Sequence, residues 1–252
     1  MMADAALPAL PERPTVTVVV PARNEAAFIE ACVTALARQT YPADLVEIVV
    51  ADGMSTDGTR DILARLHATN PRVRLVDNPR RITPEAMNAG VRAATGDVIT
   101  LMSAHGAAAD DYLARAVDAL RGTGAWAVGG RIQRVAATPI QRAIARITSS
   151  PIGVGNASHN YATEGQWVET TFPGMWPRWV FERVGMFDPE LVRNQDDELS
   201  YRIREAGGRI WYDPRIVVAY EPRGSLRGLF SQYRQYGFWK IRVMQKHPAA
   251  LR

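Results

Sequence analysis

The chain has 252 residues, 47% of them hydrophobic and 22% charged, with 30 basic against 26 acidic side chains and a formal net charge of +4. That length buries a full core as one large domain or two closely packed halves, and the composition is that of a folded chain rather than a disordered one. The charge excess is too small for a nucleic-acid signature, the single cysteine excludes an intrachain disulfide framework, and no apolar run reaches the ~18 residues that cross a bilayer.

The first fourteen residues, MMADAALPALPERP, have neither a basic start nor a sustained apolar core. They read as a loose leader rather than a secretory signal, so a cytoplasmic location is expected. TVTVVVPA (15–22) is a β-branched, uniformly apolar run, as in a parallel strand buried on both faces. NEAAFIEACVTALARQTYP then carries apolar residues at helical spacing, with Asn24 as N-cap, Pro42 past the end and Cys32 as a buried, inert thiol. VEIVVAD (46–52) reads as a second buried strand, GMSTDGT as a turn and RDILARLHAT as a helix. VRLVDN is a short strand, and TPEAMNAGVRAAT is a helix capped by Thr83 with Pro84 in its first turn. GDVITLM, ADDYLARAVDALRG and AWAVGGRI follow as strand, helix and strand.

Four or five strands thus alternate with helices across 15–132, which predicts βαβ units and an open parallel sheet in an α/β fold. Beyond residue 133 the alternation stops. A Gly-, Ser- and Asn-rich loop (149–166) precedes short helices at PRWVFERVG and DDELSYRIREAG and strands at GRIWYD and RIVVAY. The predicted organisation is a leader (1–14), a ligand-binding βαβ half (15–132), an irregular half (133–222) and a basic C-terminal segment (223–252). From Pro222 onward seven Lys and Arg residues occur with no Asp or Glu. There Leu226, Leu229, Phe230, Tyr233 and Tyr236 recur at three- and four-residue steps, as in an amphipathic helix lying on the protein, on a membrane surface, or both.

In open α/β sheets, ligands bind outside the carboxyl ends of the strands. The first strand runs into PARNEAAF rather than G-x-G-x-x-G, and no G-x-x-x-x-G-K-[ST] occurs, which argues against a dinucleotide site and a P-loop. Instead, polar residues stand at successive tips: Arg23, Asn24 and Glu25; Asp52 through Thr59; Asn88 on the third helix; and Ser103-Ala104-His105 after the central strand. A carboxylate such as Asp52 accepts from an imide N–H like that of uracil, and Gly53 and Gly58 permit tight turns beside a ligand. Thr56 and Asp57 can equally serve to cap the next helix.

The motifs VTVVVPARNE, IVVADGMSTDGT, AMNAG…ATGDVITLM, VGMFDPEL and NQDDELSYRI, in this order over about residues 15–240, resemble those of family-2 glycosyltransferases with the GT-A fold. Ser-Ala-His, NQDDELSYR and QYRQYG are most similar to the succinoglycan-type exopolysaccharide enzymes. The resemblance implies a nucleotide-diphospho-sugar transferase fold, a mostly parallel open sheet flanked by helices, with an irregular acceptor-binding C-terminal half. It implies inverting transfer from a nucleotide-diphosphate sugar, a UDP-sugar favoured, to a hydroxyl of a sugar, lipid-linked or small-molecule acceptor. Polysaccharide or lipid-linked glycan synthesis is the leading reading. Tailoring of a small-molecule natural product and a catalytically weak nucleotide-sugar-binding protein are the alternatives.

Carried onto this sequence, the resemblance assigns nucleotide binding to Pro21, Ala22, Arg23, Glu25, Asp52, Ser55, Asn88, Ser103 and Ala104. It makes Asp196 the general base, with Asp197 the runner-up, and puts Gln195 where Glu is usual, toward an acceptor hydroxyl. Asp196 at a helix N-terminus is favoured in its ionised form. The Asp-x-Asp metal motif of the family falls on Ser103-Ala104-His105, leaving His105 as either a metal ligand or a plain loop residue. Imidazole suits Mn²⁺ better than Mg²⁺, and replacing a carboxylate by Ser103 removes a negative charge. A divalent metal, Mn or Mg, with weakened dependence is therefore expected, part of the phosphate charge being met by Arg234 or left to a solvated basic face. Trp176 is either an acceptor-stacking ring or a core residue; His67 and His247 read as surface histidines, and His159 is given no role.

Overall fold

The computed structural model describes residues 7–154 and 160–248; the first six residues of the leader and His159 lie outside them. The N-terminal half builds a parallel block from β1 (Val16–Ala22), β2 (Val46–Asp52), β3 (Val73–Asp77) and β4 (Val98–Leu101). Its order is β3-β2-β1-β4, so β1 is the pivot from which the chain crosses first to one side and then to the other. Successive residues of β1 feed opposite faces. Val16, Val18 and Val20 join a core with α1 (Ile29–Ala37) and α4 (Tyr112–Thr123), while Val19 joins another with α3 (Thr83–Ala93). That explains a strand with no polar alternation. Gly90 lets α3 lie directly on β1, since a Cβ there would stand 2.2 Å from a Val19 methyl.

Helix starts differ from the reading above. α1 begins at Ile29, because Asn24 adopts φ +57° and spends its polar groups elsewhere. α2 (Thr59–Thr69) is capped by Gly58 at φ +94°, and the cap of α3 is Ile82, with Thr83 already helical.

The C-terminal half completes the same sheet. It supplies β7 (Gln166–Val168), β8 (Gly174–Pro177) and β9 (Ile210–Tyr220), which join β5 (Ala107–Ala108) and β6 (Ala127–Arg134). The full order is β3-β2-β1-β4-β8-β6-β9-β5, with β7 added on β9. β8 pairs antiparallel with both β4 and β6, so the sheet is parallel in its first four strands and mixed beyond. Where two short strands were expected, β9 is a single one that absorbs Pro214 in a bulge opposite Gly130 and Arg131. Gly130 is required there, since a Cβ would lie 1.9 Å from the Ile216 carbonyl oxygen. Helices α5 (Pro139–Thr148), α6 (Pro151–Val154), α7 (Arg178–Val184), α8 (Gln195–Glu205) and α9 (Leu226–Lys246) complete the described elements. α5 has a full capping box between Thr138 and Gln141.

Candidate active site

The tips of β1, β2 and β4 converge, as their parallel register requires: Ala22 lies opposite Asp52, and Val19 opposite Leu101. The first two loops are stitched together. The Asn24 N–H donates to Ser55 Oγ at 2.7 Å, and the Thr56 N–H donates to Asn24 Oδ1 at 3.0 Å. The Glu25 N–H donates to Thr59 Oγ1 at 2.8 Å and the Ala26 N–H to Asp57 at 3.0 Å. Asp57 also accepts from Thr59, and these bonds hold its carboxyl below the usual range. Asn24 and Met54 adopt φ +57° in these loops, and Arg81, whose carbonyl Arg23 reaches, adopts φ +60° in the loop after β3. Non-glycine residues rarely accept that conformation, and such strain concentrates at functional sites.

Asp52 is fully enclosed, and its carboxylate is engaged within the protein. It accepts from the Ser55 N–H at 3.0 Å, from the Ser55 hydroxyl and from Arg60 at 2.8 Å. Its visible work is to shape the second loop, where a free acceptor for a base was expected. Arg23 is exposed and donates to the Arg81 carbonyl at 3.4 Å, while Pro21 is half-buried and Ala22 buried.

After β4 the chain turns tightly: the Gly106 N–H donates to the Ser103 carbonyl at 2.8 Å and the His105 N–H to Ser103 Oγ at 3.3 Å. Ala104 is buried, whereas His105 projects outward and sets Nε2 3.1 Å from Glu25 Oε1, edge-on to Phe28. Burial raises the Glu25 carboxyl above its ordinary value, and the neighbouring imidazole works against that rise. Cys32, buried behind this loop, has its thiol pushed up to about 12 by desolvation and is inert as expected.

The second cluster lies at the N-terminus of α8, where Asn194 at φ +61° turns the chain into the helix. Three consecutive acids there have three different surroundings. Glu198 is buried and bound by Arg202 at 2.7 Å and His247 at 2.8 Å, a structural knot. Asp197 pairs with Lys240 of α9 at 2.6 Å. Asp196 is half-buried, and its carboxyl is raised to about 6, first by desolvation and then by the adjacent Asp197 charge. The helix N–H groups and Lys240 pull in the opposite sense without winning. A carboxylate with a pKa near neutrality is suited to accept a proton at physiological pH. Gln195 is buried and donates to the Val192 carbonyl at 3.1 Å.

Four expectations are corrected. Trp176 is 2% exposed and packs edge-on to Phe181 and Phe187, so it presents no face to a sugar. Asn88 is equally closed: its amide exchanges both hydrogen bonds with the Phe187 backbone, at 2.8 and 2.9 Å, and pins α3 to the segment before α8. Arg234 is exposed beside Gln235, Phe238 and Trp239, and no described residue pairs with it. At 3.6 residues per turn it lies roughly 160° around α9 from Tyr236, which faces Asp196. His247 is no ordinary surface residue, since it is held between Glu198 and Tyr201. Sequence alone assigns Asn24 to a helix cap and Tyr236 to an apolar stripe, and it gives Lys240 no role at the site. The signal available for Asn24 was its place at a strand tip; for the α9 residues there was none, because their partners lie about forty positions away in sequence.

Among the described residues, no three His, Cys, Asp or Glu side chains are grouped to hold a metal ion. No described helix is long and apolar enough to cross a membrane.

Residues 17–178 match the profile described as Glycosyl transferase family 2. The chain is 38% identical over 234 residues to the succinoglycan biosynthesis protein ExoA of Rhizobium meliloti, covering 92% of this chain and 71% of that one. It is 27% identical over 244 residues to the dolichyl N-acetyl-alpha-D-glucosaminyl phosphate 3-beta-D-2,3-diacetamido-2,3-dideoxy-beta-D-glucuronosyltransferase of Methanococcus voltae, covering 92% of this chain and 74% of that one. Among solved structures it resembles a mannosyltransferase of Pyrobaculum calidifontis in complex with GDP-Man and Mn²⁺. That match has a TM-score of 0.71 and 28% identity, and it spans 95% of this chain and 65% of the other. A GT-A tip geometry, a helix-borne carboxylate near neutrality and a family match over more than half the sequence converge: the chain belongs to glycosyl transferase family 2.

Proposed function

We propose that the protein transfers a sugar with inversion from a nucleotide diphosphate, a UDP-sugar favoured, to a hydroxyl on a growing polysaccharide or lipid-linked glycan. The observation that carries this reading is Asp196, half-buried at the start of α8 with its carboxyl raised to about 6. In the proposed reaction the acceptor oxygen attacks the anomeric carbon from the face opposite the diphosphate. Its proton passes to a carboxylate oxygen of Asp196 as the bond from that carbon to the diphosphate oxygen breaks. Asp197 is the weaker candidate, because Lys240 already holds it at 2.6 Å. Glu198 is closed off by Arg202 and His247.

The nucleotide side is assigned to the stitched loops carrying Arg23, Glu25, Asp52 and Ser55, with Ser103 and Ala104 at the turn after β4. For a divalent ion the donor chemistry fits in part: the exposed His105 imidazole lies 3.1 Å from the Glu25 carboxylate, and both groups are ligand types. These two would hold a Mn²⁺-type ion, which when bound supplies positive charge to the leaving diphosphate. Ser103 adds a hydroxyl where a second carboxylate would add charge, so dependence on the ion is expected to be weak. The outer face of α9 suits a peripheral position at the inner membrane surface, where lipid-linked acceptors are met.

The test compares the wild type with Asp196→Asn and Asp197→Asn, using a UDP-sugar panel for donor turnover and UDP for binding. Asp196→Asn is expected to bind UDP as the wild type does while losing transfer and donor hydrolysis by at least about a hundredfold. Equal donor turnover by the wild type and Asp196→Asn removes Asp196 as the base.

A further inference from the structure

Ser103 leaves unexplained what meets the charge of a leaving diphosphate, and Arg234 faces the wrong way to do so. We propose that Arg134, at the end of β6, is a phosphate-binding residue of the active site. The inference rests on the transferase reading above.

Three observations carry it. First, Arg134 is a half-buried cation with no counter-ion: among the described residues it takes part in no ion pair. Among the described residues its guanidinium is held by neutral groups only, donating to Ser149 Oγ at 2.9 Å and to Asn160 Oδ1 at 2.8 Å. Desolvation is the largest influence on it, and its other neighbours in this respect are the phenols of Tyr233, Tyr220 and Tyr236. A partly desolvated, unpaired cation is unfavourable in the empty protein and is offset when an anion arrives.

Second, the sheet places it beside the turn expected to face the diphosphate. Arg134 is registered with Tyr220 on one side of β9, and Ala107 with Ala219 on the other. Ala107 is the first residue of β5, and the turn Ser103–Gly106 leads directly into it. The start of β5, just after that turn, and Arg134 at the end of β6 therefore flank the end of β9 from opposite sides, about 10 Å apart at ordinary strand spacing. Third, Tyr236 of α9 acts on the Arg134 guanidinium and itself responds to the Asp196 charge. The guanidinium thus shares an α9 tyrosine as neighbour with the carboxylate that takes the acceptor proton. Guanidinium recognises phosphate oxygens through paired N–H donors, a geometry that lysine lacks.

Two sources of phosphate reach this point: the diphosphate of the donor nucleotide and the phosphate of a lipid-linked acceptor. Calorimetric titration of wild type, Arg134→Gln and Arg134→Lys with UDP, uridine and farnesyl phosphate separates them. If the donor is the source, Arg134→Gln weakens UDP at least tenfold and leaves uridine unchanged, with partial recovery in Arg134→Lys. If the acceptor is the source, farnesyl phosphate weakens by the same factor and UDP does not. Arg134→Gln that keeps wild-type melting and binds both phosphates as the wild type does overturns the inference alone. Wild-type protein that binds neither UDP nor any UDP-sugar overturns the UDP-sugar reading above and the donor form of this inference with it.

Discussion

Asp196, Asp197 and Glu198 are three neighbouring acids whose surroundings send them to three uses. Burial and the Asp197 charge raise the Asp196 carboxyl to about 6, so its base form is lost below that pH. The prediction is that kcat/KM falls tenfold per pH unit below about 6 and is level above it, since kcat/KM reports groups of the free enzyme. The stability consequence has the opposite direction. The unfolded carboxyl titrates at 3.8, so between pH 4 and 6 the native state binds the extra proton and loses stability as pH rises. Replacing Asp196 by Asn is therefore expected to raise the melting temperature at pH 7 to 8, and the gain should vanish toward pH 4. The gain corresponds to at most about 3 kcal/mol, the ceiling set by the shift itself. A melting temperature that does not change across this range would mean that Asp196 is solvated and unshifted.

At the scale of elements, the site depends on how α9 is seated. Its inner face carries Lys240 to Asp197 at 2.6 Å, Lys246 to Glu190 at 2.6 Å and to Asp188, and the following residue His247 to Glu198 at 2.8 Å. One basic helix is thereby clamped along the acidic start of α8 and the segment before it. The groups facing Asp196 are Asp197 from its own helix and Lys240 and Tyr236 from α9. Lys240 lowers the Asp196 carboxyl and Asp197 raises it. Lys240→Met is accordingly expected to move the acidic limb of the pH–rate profile to higher pH, and Asp197→Asn to lower pH with transfer retained. If both variants keep the wild-type limb, α9 does not tune the base. A raised ionic strength screens both charges, and because the Asp197 charge outweighs that of Lys240 at Asp196, it should move the limb as Asp197→Asn does.

For the whole molecule, what was legible from sequence follows the range of the interactions involved. The parallel block β3-β2-β1-β4 was readable because each strand is a local apolar run bounded by turn residues, with helices of regular period between. β8 was not, because four residues make a strand there only by filling the gap between β4 and β6. In the same way Arg23, Glu25, Ser55 and His105 were legible at strand tips, whereas the inward turn of Trp176 and Asn88 is set by packing against Phe187. The outer face of α9 was legible as a pattern, and the structure leaves it uncovered: Leu226, Phe230, Phe238 and Ile241 are each more than half exposed. Arg227, Arg234 and Arg242 stand exposed among them, and no acid occurs in the helix. Apolar side chains interleaved with unpaired guanidinium groups match the headgroup–acyl boundary of an anionic bilayer. Each basic residue near such a surface contributes about 1 kcal/mol, screened by salt. The protein is therefore expected to co-sediment with vesicles containing phosphatidylglycerol but not with pure phosphatidylcholine vesicles, and to be released by 0.5 M NaCl. Phe230→Ser combined with Arg234→Gln should reduce binding at least tenfold while leaving the ionic clamp on α8, and so the melting temperature, intact. Vesicle binding that persists in the double variant would assign the membrane contact to another surface.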